Sequence, residues 1–418
     1  MNHRVGKRKI KMLKKFFYRA LEARHFWRYA TFSEIAEIYA SRTLRVIAMN
    51  IVAGFTSVYL YEAGYSLQFI MIFWLVFYLA KMPLSFFVGY FIARFGPKHG
   101  ILISNLLYVP AMLSLGLMPK LGVTSIVLWG VFMALSATIY HICYMVDFSK
   151  VKNTEHAGKE LAYMNILEKV SIGISPVVGG LIALWFGLQV VIWVAAILFG
   201  VAALPLFKTT EPVRTRQTID FAGFPWSTVL KSIIAQVGVG FDTVTSGVIW
   251  SMFIVIVIFP GAGWDIYVTL GVLSSVTILA DITSSYAYGR LIDGSHGGRL
   301  LRYSAIANAV VHMFRPFVSS PVSIVGVNIM NEMATTGYTM SFMRGVFDTA
   351  DLSGHRILYL SLSDMVANFG AAIACLSLLL LSSSIGDIDG IKIYFFIAAG
   401  AVLLIGMANF SLYRKKDT

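Results

Sequence analysis

Twelve long apolar runs dominate this sequence. Crossing a bilayer as a helix takes about 20 mostly apolar residues. Runs of that kind cover roughly 44–63, 67–92, 99–118, 122–147, 162–184, 188–207, 229–258, 266–290, 300–318, 321–345, 357–383 and 391–413. They are too long, and too little alternating, for the strands of a membrane β-barrel. The expected fold is therefore an all-α integral membrane protein with twelve transmembrane helices. Composition agrees: 57% of the 418 residues are hydrophobic and 13% are charged, where a soluble domain has roughly a quarter charged. That excludes an ordinary soluble domain and a disordered chain.

The net charge of +13 resembles a nucleic-acid footprint until it is located. The first 45 residues hold twelve Lys/Arg against Glu22, Glu34 and Glu37. With both termini cytosolic, seventeen further Lys/Arg fall at inner loops and ends, and only Lys120 and Lys392 at outer ones. Cytosolic loops are enriched in Lys and Arg, so the excess charge is a topology signal rather than a nucleic-acid surface. It predicts a multi-pass protein of the cell membrane with both ends in the cytosol. The longest inner connection, 208–228, separates two six-helix halves at 44–207 and 229–413, flanked by a basic region, 1–43, and a basic tail, 414–418.

The segment 7–29 mixes basic residues with Ile10, Leu13, Phe16, Phe17, Phe26 and Trp27. That mixture suits a helix lying on the anionic cytosolic leaflet. Thr31-x-x-Glu34 has the form of a capping box opening a second helix. Trp185, Trp226 and Trp264 fall at segment ends, as interfacial anchors do. Cys143 and Cys375 sit in apolar runs and read as packing cysteines, with no spacing for a disulfide scaffold or a metal. Neither a metal nor a cofactor is expected. A Walker loop, GxSxG and HExxH are all absent from the sequence, which argues against an enzyme or an ATP-driven pump.

Ionisable residues inside a membrane are costly and usually face the protein interior or a watery cavity. Eight fall within the runs: Lys81, Glu168, Lys169, Asp242, Asp281, Arg315, Glu332 and Asp364. Asp242 and Glu332 lie deepest, more than a helical turn or two from water, and need a partner or a cavity. Carboxylates so placed can exchange protons near neutral pH. Asp242, Glu332 and Asp281 are the proton-coupling candidates. Lys81, Glu168, Lys169, His141 and Asp364 are candidate cavity or charge-partner residues; Lys81 either neutralises an acid or meets an anionic substrate group. Glu168 and Lys169 are about 100° apart around their helix and need not pair. Arg315 and Glu62 lie nearer the outer surface, where snorkelling accounts for them.

The two halves look related. Gly89-Tyr-Phe-Ile-Ala93-Arg94-Phe-Gly96-Pro-Lys98-His99 is repeated 200 residues later as Gly289-Arg-Leu-Ile-Asp293-Gly294. Tyr163 and Glu168 match Tyr359 and Asp364 at a shift of 196. Parallel six-helix repeats with a midplane site between them are a transporter architecture. On these features the chain resembles the major facilitator superfamily over about residues 43–413. The resemblance implies a gate-loop role for Gly89, Arg94, Gly96, Lys98, Gly289 and Asp293. Ala93 stands where that family's loop has an acid, and Gly294 where it has a base. Ser175-Pro176-x-x-Gly179-Gly180 is similar to the family's antiporter motif, with Ser175 in place of the first glycine.

The reading that follows is a secondary active transporter using alternating access, with proton-coupled export of an amphipathic or apolar small molecule. Lipid or small-solute transport by uptake or flipping is the alternative, and a non-transporting receptor or scaffold on a transporter fold is another. The expected partners are the small-molecule substrate, protons and the bilayer, with the protein a monomer.

Overall fold

The computed structural model describes residues 34–52, 56–152, 156–186, 188–208, 219–261 and 265–414. The expected surface helix at 7–29, Thr31 of the capping box and Trp264 lie outside them. All regular structure among the described residues is helical. The main helices are α1 (Glu34–Val52), α2 (Thr56–Glu62), α3 (Leu67–Phe95), α4 (Pro97–Gly116), α5 (Val123–Val151), α6 (Ala157–Phe186) and α7 (Leu188–Ala202). After the central connection come α8 (Trp226–Val244), α9 (Asp265–Leu291), α10 (Gly297–Phe314), α11 (Pro321–Leu352), α12 (Arg356–Ile385) and α13 (Asp387–Val402).

Among the described residues, seven helical stretches are long and apolar enough to cross a membrane: Ile35–Glu62, Leu67–Phe95, Pro97–Gly116, Val123–Val151, Trp226–Ile258, Arg356–Ile385 and Asp387–Met407. The stretch after Val244 reaches residue 258 through two π-helical turns, Thr245–Ile249 and Ile254–Ile258. The first of these begins three residues after Asp242, and such bulges tend to mark functional positions. Large apolar side chains such as Phe87, Trp185, Ile197 and Phe317 face outward. In water this would be an aggregating surface, whereas in lipid it is the expected one. Trp185 and Trp226 are exposed near helix ends.

The first helix starts by Glu34, ten residues before the apolar run that announced it. Arg42 and Arg45, counted in the basic cap from sequence, therefore lie within the span Ile35–Glu62. They are tolerated there because other helices supply their partners.

Two helix pairs hold the N-terminal helices against the C-terminal ones, α3 with α12 and α6 with α9. Small residues allow the close approach. A side chain at Gly89 would collide with Ser361, and one at Gly289 with Ala162. The two motif glycines thus do the same job in the two copies. Within the C-terminal helices, Gly240 presses on the backbone of Ala367, and Gly370 on that of Val237. The α8–α12 contact is thus made backbone to backbone, an arrangement small residues favour in membranes. Gly179 likewise packs on the backbone of Ile51, tying α6 to α1. Pro176 and Gly180 lie in that same helix, and Ser175 donates back to the Ser171 carbonyl at 2.5 Å. Cys143 and Cys375 are both buried.

Candidate functional site

Among the described residues, the candidate charges and their partners fall into four groups. The first joins helices on either side of the central connection. Lys169 on α6 reaches Asp281 on α9 and Glu332 on α11, each at 2.8 Å. Asp281 is fully buried and also accepts from Asn165 at 3.0 Å and Thr336 at 2.6 Å. One ammonium thus holds two carboxylates borne by two different helices.

The second group lies within the C-terminal helices. Asp242 meets His312 Nε2 at 2.8 Å and also accepts from the Tyr338 hydroxyl and, at 3.1 Å, from Ser246. His312 is fully buried. Arg315 lies one turn further along the same helical stretch and donates to Asn331 at 2.8 Å and Ser246 at 3.2 Å. Its guanidinium stacks 4.9 Å from the Trp250 ring. Arg315 is fully buried, so snorkelling toward the outer surface does not describe it. A planar, five-donor cation has enough partners here to stay inside.

The third group again crosses the central connection. Asp364 on α12 accepts from Ser85 on α3 at 2.6 Å and from Asn368 at 2.9 Å, and His141 on α5 approaches to 3.6 Å. Lys81, one turn from Ser85, has its ammonium 5.6 Å from the centres of the Phe77 and Tyr78 rings.

The fourth group was not legible as a site. Arg42 forms an ion pair with Glu168 and stacks 4.1 Å from the Tyr144 ring. Arg45, buried, donates to Asn105 and to Ser136 at 3.2 Å, and lies 3.9 Å from the Tyr140 ring. Glu168 and Lys169 turn to different partners, as their offset around the helix requires.

The gate-loop residues divide. In the second copy, Asp293 accepts from the backbone N–H of Gly158 at 2.8 Å and of Lys159 at 3.2 Å. It caps the start of α6, where a helix presents unpaired donors and partial positive charge. Burial nevertheless raises the Asp293 carboxyl above its ordinary value, with those two N–H groups pulling the other way. In the first copy Ala93 is buried, Arg94 is exposed, and Lys98 turns to Glu37 at 3.7 Å. Gly96 ends α3 with φ 87°, a value that favours glycine. Near Asp293, at the same end of the bundle, Lys152 meets Asp351 at 2.5 Å, and Arg356 donates to Ser149 at 2.8 Å and pairs with Asp351. Burial lowers the Lys152 ammonium, and Asp351 opposes the shift. These contacts tie the ends of α5, α11 and α12 together, beside the Asp293 cap on α6.

Comparison with known proteins decides the family. The family model described as Major Facilitator Superfamily matches residues 38–349. The chain belongs to the Major Facilitator Superfamily. It is a transporter and not an enzyme. No curated protein matches it. Among solved structures it is similar to a bacterial homologue of the iron transporter ferroportin in the outward-facing state, with 13% identity over 91% of this chain and 98% of that one and a TM-score of 0.68. It is also similar to the transporter FucP in the outward conformation, at 13% identity, 90% and 98% coverage and a TM-score of 0.67. The human organic anion transporter MFSD10 (TETRAN) gives 9% identity, 90% and 98% coverage and a TM-score of 0.65. At these identities the likeness is one of fold.

Proposed function

We propose that this superfamily member is a twelve-span secondary transporter with cytosolic termini, exporting an amphipathic or apolar small molecule in exchange for protons. Its two six-helix halves, 44–207 and 229–413, rock about the charge groups described above. The observation that carries the reading is the Lys169 bridge. Lys169 is on the N-terminal half, and both of its carboxylate partners are on the C-terminal half. Rocking the halves apart separates an ammonium from two carboxylates in a low-dielectric interior, which is expensive while all three are charged. A proton delivered to Asp281 or Glu332 removes part of that cost. Protonation and opening are thereby linked, and linkage is reciprocal. Asp242 with His312 forms a second proton-holding pair inside the C-terminal half, and the neighbouring π-helical turn gives that helix a place to flex. The latch of Lys152, Asp351, Arg356 and Asp293 holds the cytosolic end closed in this state.

Proton flux in proteoliposomes, followed with an internal pH dye, tests the proposal. Neutral, cationic and anionic amphiphilic dyes serve as drivers. At least one should drive flux in the wild type, and flux should be lost or uncoupled in Glu332→Gln or Asp242→Asn. Unchanged coupling in both variants would remove these residues from the mechanism.

A further inference from the structure

The interior charges are divided unequally between the halves. Away from the helix ends, the helices before the central connection carry four cations, Arg42, Arg45, Lys81 and Lys169, and one acid, Glu168. Those after it carry four acids, Asp242, Asp281, Glu332 and Asp364, against two buried cations, Arg315 and Arg344. Nearly every one of these groups is satisfied. Glu168 has Arg42. Asp281 and Glu332 have Lys169. Asp242 has His312 and Tyr338. Asp364 has Ser85 and Asn368. Arg45 has Asn105 and Ser136, and Arg315 has Asn331 and Ser246.

Lys81 is the exception. Among the described residues its ammonium has no hydrogen-bond acceptor and no carboxylate within ion-pair distance; it has only the Phe77 and Tyr78 rings at 5.6 Å. It lies mid-helix on α3, two residues before Pro83, which breaks the regular hydrogen bonding of that turn. His141 faces the same region with half of its side chain exposed, and its 3.6 Å approach to Asp364 is too long for a hydrogen bond. Each of these five acids, Glu168, Asp242, Asp281, Glu332 and Asp364, has a cationic or neutral donor, while the Lys81 ammonium and the His141 imidazole lack hydrogen-bond acceptors. The unmet demand is for an anion.

We propose that Lys81 is the recognition cation for the substrate's head group and that the transported compound is an amphipathic organic monoanion bearing a carboxylate. His141 supplies a second contact to that carboxylate. The rings of Phe77 and Tyr78 form the wall against which the compound's apolar body lies. This rests on the transporter reading above and narrows its substrate class. It also gives the satisfied Asp364 a role: placed across from Lys81 on the opposite half, it repels the carboxylate and keeps it on the α3–α5 side.

Binding to the purified full chain in dodecyl maltoside at pH 7.5 tests the proposal. The probes are 4-biphenylcarboxylate, 4-biphenylmethanol and 4-biphenylmethylamine, read by their effect on the melting temperature across a concentration series. Only the carboxylate should raise it. Lys81→Met should weaken that binding at least about tenfold, the expected loss of one charge-assisted hydrogen bond. Lys81→Arg should retain binding, and His141→Gln should weaken it by a smaller factor. If Lys81→Met does not purify as a folded protein, Lys81→Gln takes its place. Failure of the carboxylate to bind, equal binding of the alcohol or amine, or unchanged affinity in Lys81→Met would each overturn the proposal. Because the readout is binding, it is independent of proton flux. Asp242→Asn and Glu332→Gln can lose coupling while carboxylate binding persists, and the reverse result would separate the two claims equally well.

Discussion

Replacing Lys169 by methionine probes the bridge between the halves directly. The substitution keeps the length of the side chain and removes its charge. Lys169 Nζ stands 2.8 Å from an oxygen of Asp281 and 2.8 Å from one of Glu332, so those oxygens are no farther apart than twice that distance. Without the ammonium, two ionised carboxylates face each other across that gap. At an effective dielectric constant of about 20 their repulsion is roughly 3 kcal/mol. Removing one member of a buried ion pair costs about 3–5 kcal/mol, which agrees in scale. The variant in detergent at pH 8 should melt roughly 5 °C below the wild type, on the usual conversion of stability to melting temperature. At pH 5 a proton shared between the carboxylates relieves the repulsion, and most of that deficit should vanish. Glu332→Gln added to Lys169→Met should restore the melting temperature at pH 8. A deficit equal at both pH values, or unrelieved by the second substitution, would refute the argument that charge separation at this bridge controls the energy.

Three further outcomes follow from single residues. Gly240→Ala places a methyl group against the Ala367 carbonyl, so it should destabilise by about 1–3 kcal/mol and reduce the yield of monodisperse protein, whereas Gly400→Ala, with open space around it, should not. Arg315→Lys removes the stack on Trp250 and at least one hydrogen bond and should cost about 1–2 kcal/mol, measured by thermal unfolding. Asp293 has a raised carboxyl in the folded protein. Its contribution is therefore complete below the ordinary aspartate range of about 4 and is lost as pH rises through the folded value. The melting-temperature gap between wild type and Asp293→Asn should widen as pH falls from 7 to 4, and parallel curves would contradict the assignment.

The helical framework was legible because a bilayer leaves few alternatives for a long apolar run. The interior acids were legible for the same reason: a charge in such a run stands out. Arg42 and Arg45 did not stand out, since they continue a basic N-terminal stretch and look like part of it. What retains them inside is Tyr140, Tyr144, Asn105, Ser136 and Glu168, which lie far along the chain. His312 was also missed, although a signal existed. Asn308, His312 and Arg315 recur at helical spacing within an apolar helix and mark one polar stripe. The pairings themselves had no local trace. Glu168 and Lys169 are neighbours in sequence, yet α1 claims one and α9 with α11 claims the other. The gate-loop pattern predicted a broken first copy, and the structure gives the break a physical form: Ala93 is buried and Arg94 faces outward, while Asp293 of the second copy caps α6.

The central claim is that protonating the acids between the halves opens the latched end. It can be measured with spin labels at Lys150→Cys and Leu352→Cys in a Cys143→Ala/Cys375→Ala background, in nanodiscs. Both labelling positions are exposed and flank the Lys152–Asp351 contact. At pH 8 the distance distribution should be short and narrow. At pH 5 a longer population should appear, and in Glu332→Gln that population should already be present at pH 8. A distribution that stays the same across pH and in Glu332→Gln would contradict proton-linked opening.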